Sequence, residues 1–128
     1  MKTLTYLIMI FLLALALTLS TNTLIAQDLM KVALKNTKVL LENDRVRVLE
    51  YQAKPGEKAA MHSHPANVVY ALSSFKTKFT LPDGKTQEVE TKAGQANWSE
   101  ASTHASENVG TTEAHALIIE LKEPSKKK

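Results

Sequence analysis

From Val39 onward, apolar and polar residues alternate in short runs broken at turn residues. Successive side chains of a strand leave on opposite faces, so a period of two marks strands that bury one side. "RVRVLEY" (Arg45–Tyr51) alternates, with Val46 and Val48 on one face. "NVVYAL" (Asn67–Leu72) is β-branched and aromatic and breaks at Ser73-Ser74. "FKTKFT" (Phe75–Thr80) sets Phe75, Thr77 and Phe79 against Lys76 and Lys78. Pro82-Asp83-Gly84 then turns the chain into "TQEVET" (Thr86–Thr91), and further turns fall at Pro55-Gly56 and Gly94. "ANWSEASTH" and "EAHALIIELK" close the pattern, joined by the loop "ENVGTTE". "QDLMKVALKNT" (Gln27–Thr37) reads as one short helical turn or an extended lead-in. Short strands with frequent turns predict an all-β, small single-domain barrel of jelly-roll type and exclude a helical bundle.

The N-terminus follows a different pattern. Lys2 precedes the apolar run Tyr6 to Leu19, and a polar stretch leads to Leu24-Ile25-Ala26. A basic start, a short apolar core and a small residue at the end make a secretory signal peptide, cleaved after Ala26. The run falls short of the ~20 apolar residues of a spanning helix. The expectation is an exported protein, periplasmic or secreted, without a stable membrane anchor after cleavage. Removing residues 1–26 leaves 102 of the 128, enough for one core. The reading is a lead-in over 27–38, the barrel over 39–122 and a basic, disordered tail over 123–128.

Charge and composition narrow the classes. The mature chain carries 15 basic and 13 acidic residues, and much of its basicity lies in the tail. No basic patch is interleaved with aromatics, so nucleic acid is not an expected partner. Cysteine is absent, which removes thiol nucleophiles, thiolate zinc sites and disulfides as sources of stability.

The histidines carry the candidate chemistry. "PGEKAAMHSHP" places His62 and His64 two apart, on one face of a strand, their Cα atoms ~6.6 Å apart at ~3.3 Å per residue. His104 lies in "STHASEN". His115 opens "HALIIEL". If Glu120 faces water, then Leu117, Ile119 and Leu121 point inward, and His115 shares their parity. A hairpin centred near Gly110 would set the His104 strand beside the His115 strand. Four imidazoles near one point would suit zinc, iron, copper, manganese or nickel. An H-x-H pair also fits ordinary polar loop residues, and His115 a hydrogen-bonded core histidine.

The spacing of these residues resembles the cupins. Their first motif runs G-x5-H-x-H-x(3,4)-E-x6-G, and Gly56 is here followed by five residues and His62-Ser63-His64. Their second motif resembles the stretch from Gly94 through "EASTHASEN", with His104 and Asn108. The likeness spans Val39 to Leu121. It implies the cupin double-stranded β-helix and a metal held by His62, His64 and His104. The motif glutamate is missing, since Val68 and Val69 stand there, and Phe75-Lys76 replaces the later glycine. In the second motif Glu100 replaces the usual proline, Ser102 a glycine, and the histidine comes one residue early. His115 is the expected substitute for the missing carboxylate, as a fourth ligand or a hydrogen-bond partner. Glu100 and Glu107 are rival carboxylates that read as rim or loop residues.

Such a protein would bind one divalent transition metal and a small organic molecule, with Tyr70, Phe79 and Trp98 as candidate pocket residues. Two functions stay open. One is a metal-dependent, dioxygenase-like oxygenase or isomerase, in which the metal serves as a Lewis acid or activates water or dioxygen. The other is a non-catalytic module that binds a small molecule or metal. Cupins often pair through sheet edges, so the resemblance also admits a homodimer. "NWS" at Asn97 matches a glycosylation acceptor but falls within an expected strand.

Overall fold

Alternation and turn chemistry resolve into strands as the sequence leads one to expect. The computed structural model describes residues 27–123, so the expected signal peptide (1–26) and most of the expected tail lie outside the described residues. The elements run β1 (Gln27–Asp28), α1 (Leu29–Val32), a 3-10 turn (Leu34–Asn36), β2 (Thr37–Glu42), β3 (Val46–Ala53) and β4 (Lys58–His64). Then follow β5 (Asn67–Ala71), β6 (Phe75–Thr80), β7 (Thr86–Thr91), β8 (Ala96–Ser99), β9 (Ser102–Asn108) and β10 (Ala114–Leu121). They form two five-stranded sheets, ordered β1-β4-β9-β6-β7 and β2-β3-β10-β5-β8. The core between them includes Leu29, Leu49, Ala59 and Ile118.

Two turns set the register around the site. Gly84 adopts φ 85°, a region that costs glycine nothing, and its N–H donates to the Leu81 carbonyl at 2.9 Å, closing β6 onto β7. Gly56, at φ 82°, donates to the Asn108 carbonyl at 2.8 Å, hooking the β3–β4 turn to the end of β9. Asn108 is itself buried. Its Nδ2 donates to the carbonyls of Ala53 and Thr112, both at 2.8 Å, and its Oδ1 accepts from Gly110 N. One side chain thus ties the end of β3 to the β9–β10 connection.

The last strands depart from the sequence reading. β9 pairs with β4 and β6, whereas β10 lies in the other sheet between β3 and β5, so "ENVGTTE" crosses between sheets and is no hairpin. The parity of β10 is also reversed. Ala114, Ala116, Ile118 and Glu120 are buried, and His115, Leu117, Ile119 and Leu121 take the outer face. The assumption that Glu120 faces water is what failed. It is 1% exposed because Arg47 supplies a charged partner and His64 a hydrogen-bond donor inside the barrel.

Candidate metal centre

The site begins with a defect in β4. Between Ala59 and His62 the strand carries one residue more than β9 opposite it, a β-bulge. The extra residue resets the alternation, so that Ala59 and His62, three apart, both face inward. Beyond the bulge His62 lies directly opposite His104, and His64 opposite Ser102. Paired residues share a face. The three rings therefore converge, with centroids 4.8 Å apart for His62–His64, 4.8 Å for His62–His104 and 5.4 Å for His64–His104.

Hydrogen bonds orient two of the rings. His62 Nδ1 lies 2.6 Å from the Ala60 carbonyl, within the bulge. A carbonyl can only accept, so Nδ1 carries the proton and Nε2 keeps its lone pair. His64 Nδ1 lies 2.7 Å from Glu120 Oε1, and the same logic applies. Glu120 Oε2 accepts from Arg47 Nε at 2.7 Å, and Arg47 reaches Asp28 Oδ2 at 2.6 Å. Asp28 Oδ1 in turn accepts from Met30 N at 2.8 Å and caps α1. A chain of charge-assisted contacts thus runs from His64 to the N-terminal segment.

The protonation states suit a metal. Burial lowers the His104 pKa to about 3, helped by His62 and His64 beside it. Burial also lowers the His62 pKa, against the bond to Ala60, which works the other way. Asp28 stays below the usual carboxylate range. Burial would raise it, but the bonds from Arg47 and Met30 N outweigh that. Neutral imidazoles with outward-facing Nδ1–H groups are the donors that transition metals take.

The donor set fits such an ion. One ligand atom from each of His62, His64 and His104 lies within 4.8 Å of the others. Two nitrogens ~2.1 Å from one ion stand at most ~4.2 Å apart, so atoms as far as 4.8 Å from one another would have to close by at least ~0.6 Å to hold it. Three protein ligands leave coordination positions open, as reactive metal sites do.

The cluster borders a cavity of about 110 Å³ between the sheets. Leu29, Val69, Phe75, Phe79 and Ile118 form apolar wall, while Tyr51, Asn67 and several serines supply polar atoms. Phe79 packs at 4.8 Å from the His104 ring. Among the described residues no lysine or arginine lines the space. Glu107 borders it but turns outward, where Lys78 at 3.0 Å and Lys58 at 3.7 Å hold it.

Of the residues singled out from the sequence, His62, His64 and His104 come together and Phe79 lies beside them. His115 does not. Its Nε2 lies 2.8 Å from Glu50 and 3.2 Å from Gln52 on the outer face, a consequence of the reversed parity. Tyr70 and Trp98 also point outward, 39% and 55% exposed, because they pair with the outward-facing Leu117 and Val68. Trp98 Nε1 donates to Glu100, 2.7 Å away. Three important residues were missed: Glu120, Arg47 and Tyr51. The available signal was the alternation of "RVRVLEY" itself, whose non-valine face (Arg47, Leu49, Tyr51) points inward.

Neither a family model nor a curated protein sequence matches the chain. Solved structures do. A cupin domain of Bordetella pertussis Tohama I is 26% identical over 68% of this chain and 92% of its own, with a TM-score of 0.63. A double-stranded β-helix protein of Klebsiella pneumoniae is 21% identical over 70% and 76%, at 0.55. The polyketide cyclase RemF of Streptomyces resistomycificus is 23% identical over 71% and 68%, at 0.51. Two sheets in this order, an H-x-H strand facing a third histidine across the ladder, and these neighbours agree: the chain carries a small cupin domain.

Proposed function

We propose that this protein is an exported metal-binding cupin that holds one divalent transition metal through His62, His64 and His104. Beside that metal it receives a small organic molecule. The observation that carries the reading is the pair of Nδ1–H anchors on Ala60 and Glu120, which leave two Nε2 lone pairs for the cluster. A bound metal would supply a Lewis acid with open positions for water, dioxygen or a substrate oxygen. The chain's own residues do the rest. Phe75, Phe79 and Ile118 exclude water, and the Tyr51 phenol, kept protonated by burial, can donate a hydrogen bond to a ligand oxygen. No lysine or arginine borders the cavity among the described residues, so the bound divalent ion would be the positive charge that a ligand oxygen meets. The volume is somewhat below the ~150 Å³ of an engineered cavity that admits benzene, so one ring or a short carbonyl compound is the right scale.

Metal analysis of the purified protein tests this directly. The expected result is one transition metal ion per chain, lost in His104→Ala while the fold survives. A metal-free protein that also takes up no Zn²⁺, Mn²⁺ or Fe²⁺ on titration would overturn the reading. Turnover as an oxygenase or isomerase is the active form of the proposal, and oxygen uptake with phenolic and dicarbonyl compounds measures it. The non-catalytic reading has support of its own, since among the described residues no carboxylate faces into the cavity to serve as a general base. Bound metal without turnover would select it. Likeness to a polyketide cyclase is one of fold and leaves the substrate to this chain's own cavity. Export rests on the leader, and a mature N-terminus at Gln27 is the expected result of N-terminal sequencing.

A further inference from the structure

The charges around the histidine cluster do not balance a divalent ion. Imidazoles bind metal in the neutral form, and among the described residues no carboxylate joins His62, His64 and His104. Behind His64, Glu120, Arg47 and Asp28 form one chain of contacts and together carry a single negative charge. An ion at the cluster would therefore keep one positive charge uncompensated, in a cavity walled by Leu29, Val69, Phe79 and Ile118. An unpaired charge is costly in such surroundings. Glu107, the one acidic residue that borders the cavity, is held outward by Lys78 and Lys58. Of Val68 and Val69, which stand in the place of the motif glutamate, Val69 lines the cavity and Val68 lies opposite Trp98 on the outer face. Where a fourth protein donor could stand, the wall is apolar.

We infer that the ligand brings the missing charge with it: the site takes a small aliphatic monocarboxylate, whose anionic oxygen balances the ion and whose chain packs on the apolar wall. The polar atoms agree with this. The hydroxyls of Tyr51, Ser99, Ser102 and Ser106 border the cavity, and each has a proton to donate to an oxygen that can only accept. Ser102 stands directly opposite His64, at the metal end. A second charged group on the ligand would find no partner, because among the described residues no lysine or arginine lines the cavity and Glu107 is turned away. That disfavours dicarboxylates and amino acids. The cavity of about 110 Å³ is smaller than the ~150 Å³ that admits benzene, so an acid of butyrate's size is the right scale. The inference rests on the metal reading above and adds to it the charge and shape of the ligand.

Zn²⁺ titrated into the metal-free full chain, in competition with a chelating dye, tests it. The titration is run at constant ionic strength in sodium perchlorate, in sodium butyrate, and in perchlorate with butyramide, which has butyrate's shape without its charge. Butyrate should tighten Zn²⁺ binding about tenfold or more, and butyramide should leave it as in perchlorate. By linkage, butyrate should prefer the Zn²⁺-loaded chain over the metal-free chain by the same factor. Val69→Glu, which sets a carboxylate in the cavity wall, should bind Zn²⁺ more tightly than the wild type in perchlorate and lose the response to butyrate. Should that variant not fold, the visible spectrum of the Co²⁺-loaded wild type gives a second reading, changing with butyrate and not with butyramide. Zn²⁺ bound equally in all media would overturn this inference and leave the metal site standing, as would an equal gain from the amide. Failure to bind Zn²⁺ in any medium would overturn both.

Discussion

Glu120 holds His64 and Arg47 at once, on two different oxygens, while itself almost wholly buried. Glu120→Gln keeps the shape and one acceptor oxygen but presents an amide N–H to one of two donors. Partners of metal-ligating histidines typically matter by 10–100-fold in affinity, so a loss of about tenfold is expected for Zn²⁺, read by competition with a chelating dye. Glu120→Ala leaves Arg47 and His64 without their carboxylate and should cost about 3 kcal/mol or more of stability in urea unfolding. Acid should act on the histidines in the same direction. The folded pKa of His104 is about 3, below its unfolded value near 6.5, and that of His62 is also lowered. In that window the unfolded chain binds more protons than the folded one, so metal-free protein loses stability as pH falls from about 6.5 toward 3. His104→Phe should flatten the pH dependence of the melting temperature between pH 6.5 and 4. A variant as acid-sensitive as the wild type would show that the burial of His104 has been misread.

At the scale of elements, most strands were legible because their turns were explicit. Phe75–Thr80 and Thr86–Thr91 match their strands to the residue, flanking a turn whose Asp83-Gly84 chemistry admits few alternatives. β8 and β9 were merged, since Glu100-Ala101 holds no glycine or proline to announce the crossing between sheets. The parity of β10 misled for a related reason. A lone glutamate in an apolar strand reads as solvent-facing until its buried arginine, far away in the chain, is known. The bulge in β4 leaves no mark in "KAAMHSH" either, yet the site depends on it. Deleting Met61 removes the extra residue and leaves Ala59 and His62 two apart, in step with Ser106 and His104 on β9, so both still face inward on a regular ladder. What the deletion takes away is the bulge that sets the Ala60 carbonyl 2.6 Å from His62 Nδ1 and so fixes that ring. The expected variant folds with native circular dichroism and binds Zn²⁺ about tenfold more weakly. Unchanged affinity would show that the bulge plays no part in orienting His62.

Across the whole molecule, the N-terminal segment joins the two sheets at the metal end. β1 runs parallel to β4, with Gln27 opposite His62 and Asp28 opposite Ser63. Asp28 then reaches Arg47 on β3, in the other sheet, and Leu29 closes one side of the cavity. Residues that precede the recognisable motif thus complete the wall of the site and, through Arg47 and Glu120, brace His64. Two substitutions separate the roles of Asp28. Asp28→Asn preserves an oxygen for the cap on Met30 N and removes the charge that faces Arg47. Asp28→Ala removes both, and loss of the cap alone should cost about 1 kcal/mol. If the segment is only a lid, both variants lower stability in proportion and leave metal affinity alone. If the ion-pair chain braces His64, Asp28→Asn weakens Zn²⁺ binding severalfold at nearly unchanged stability. The second pattern is expected, because Arg47 is mostly buried and can replace a lost Asp28 contact only by drawing on Glu120, the carboxylate that orients the ligand.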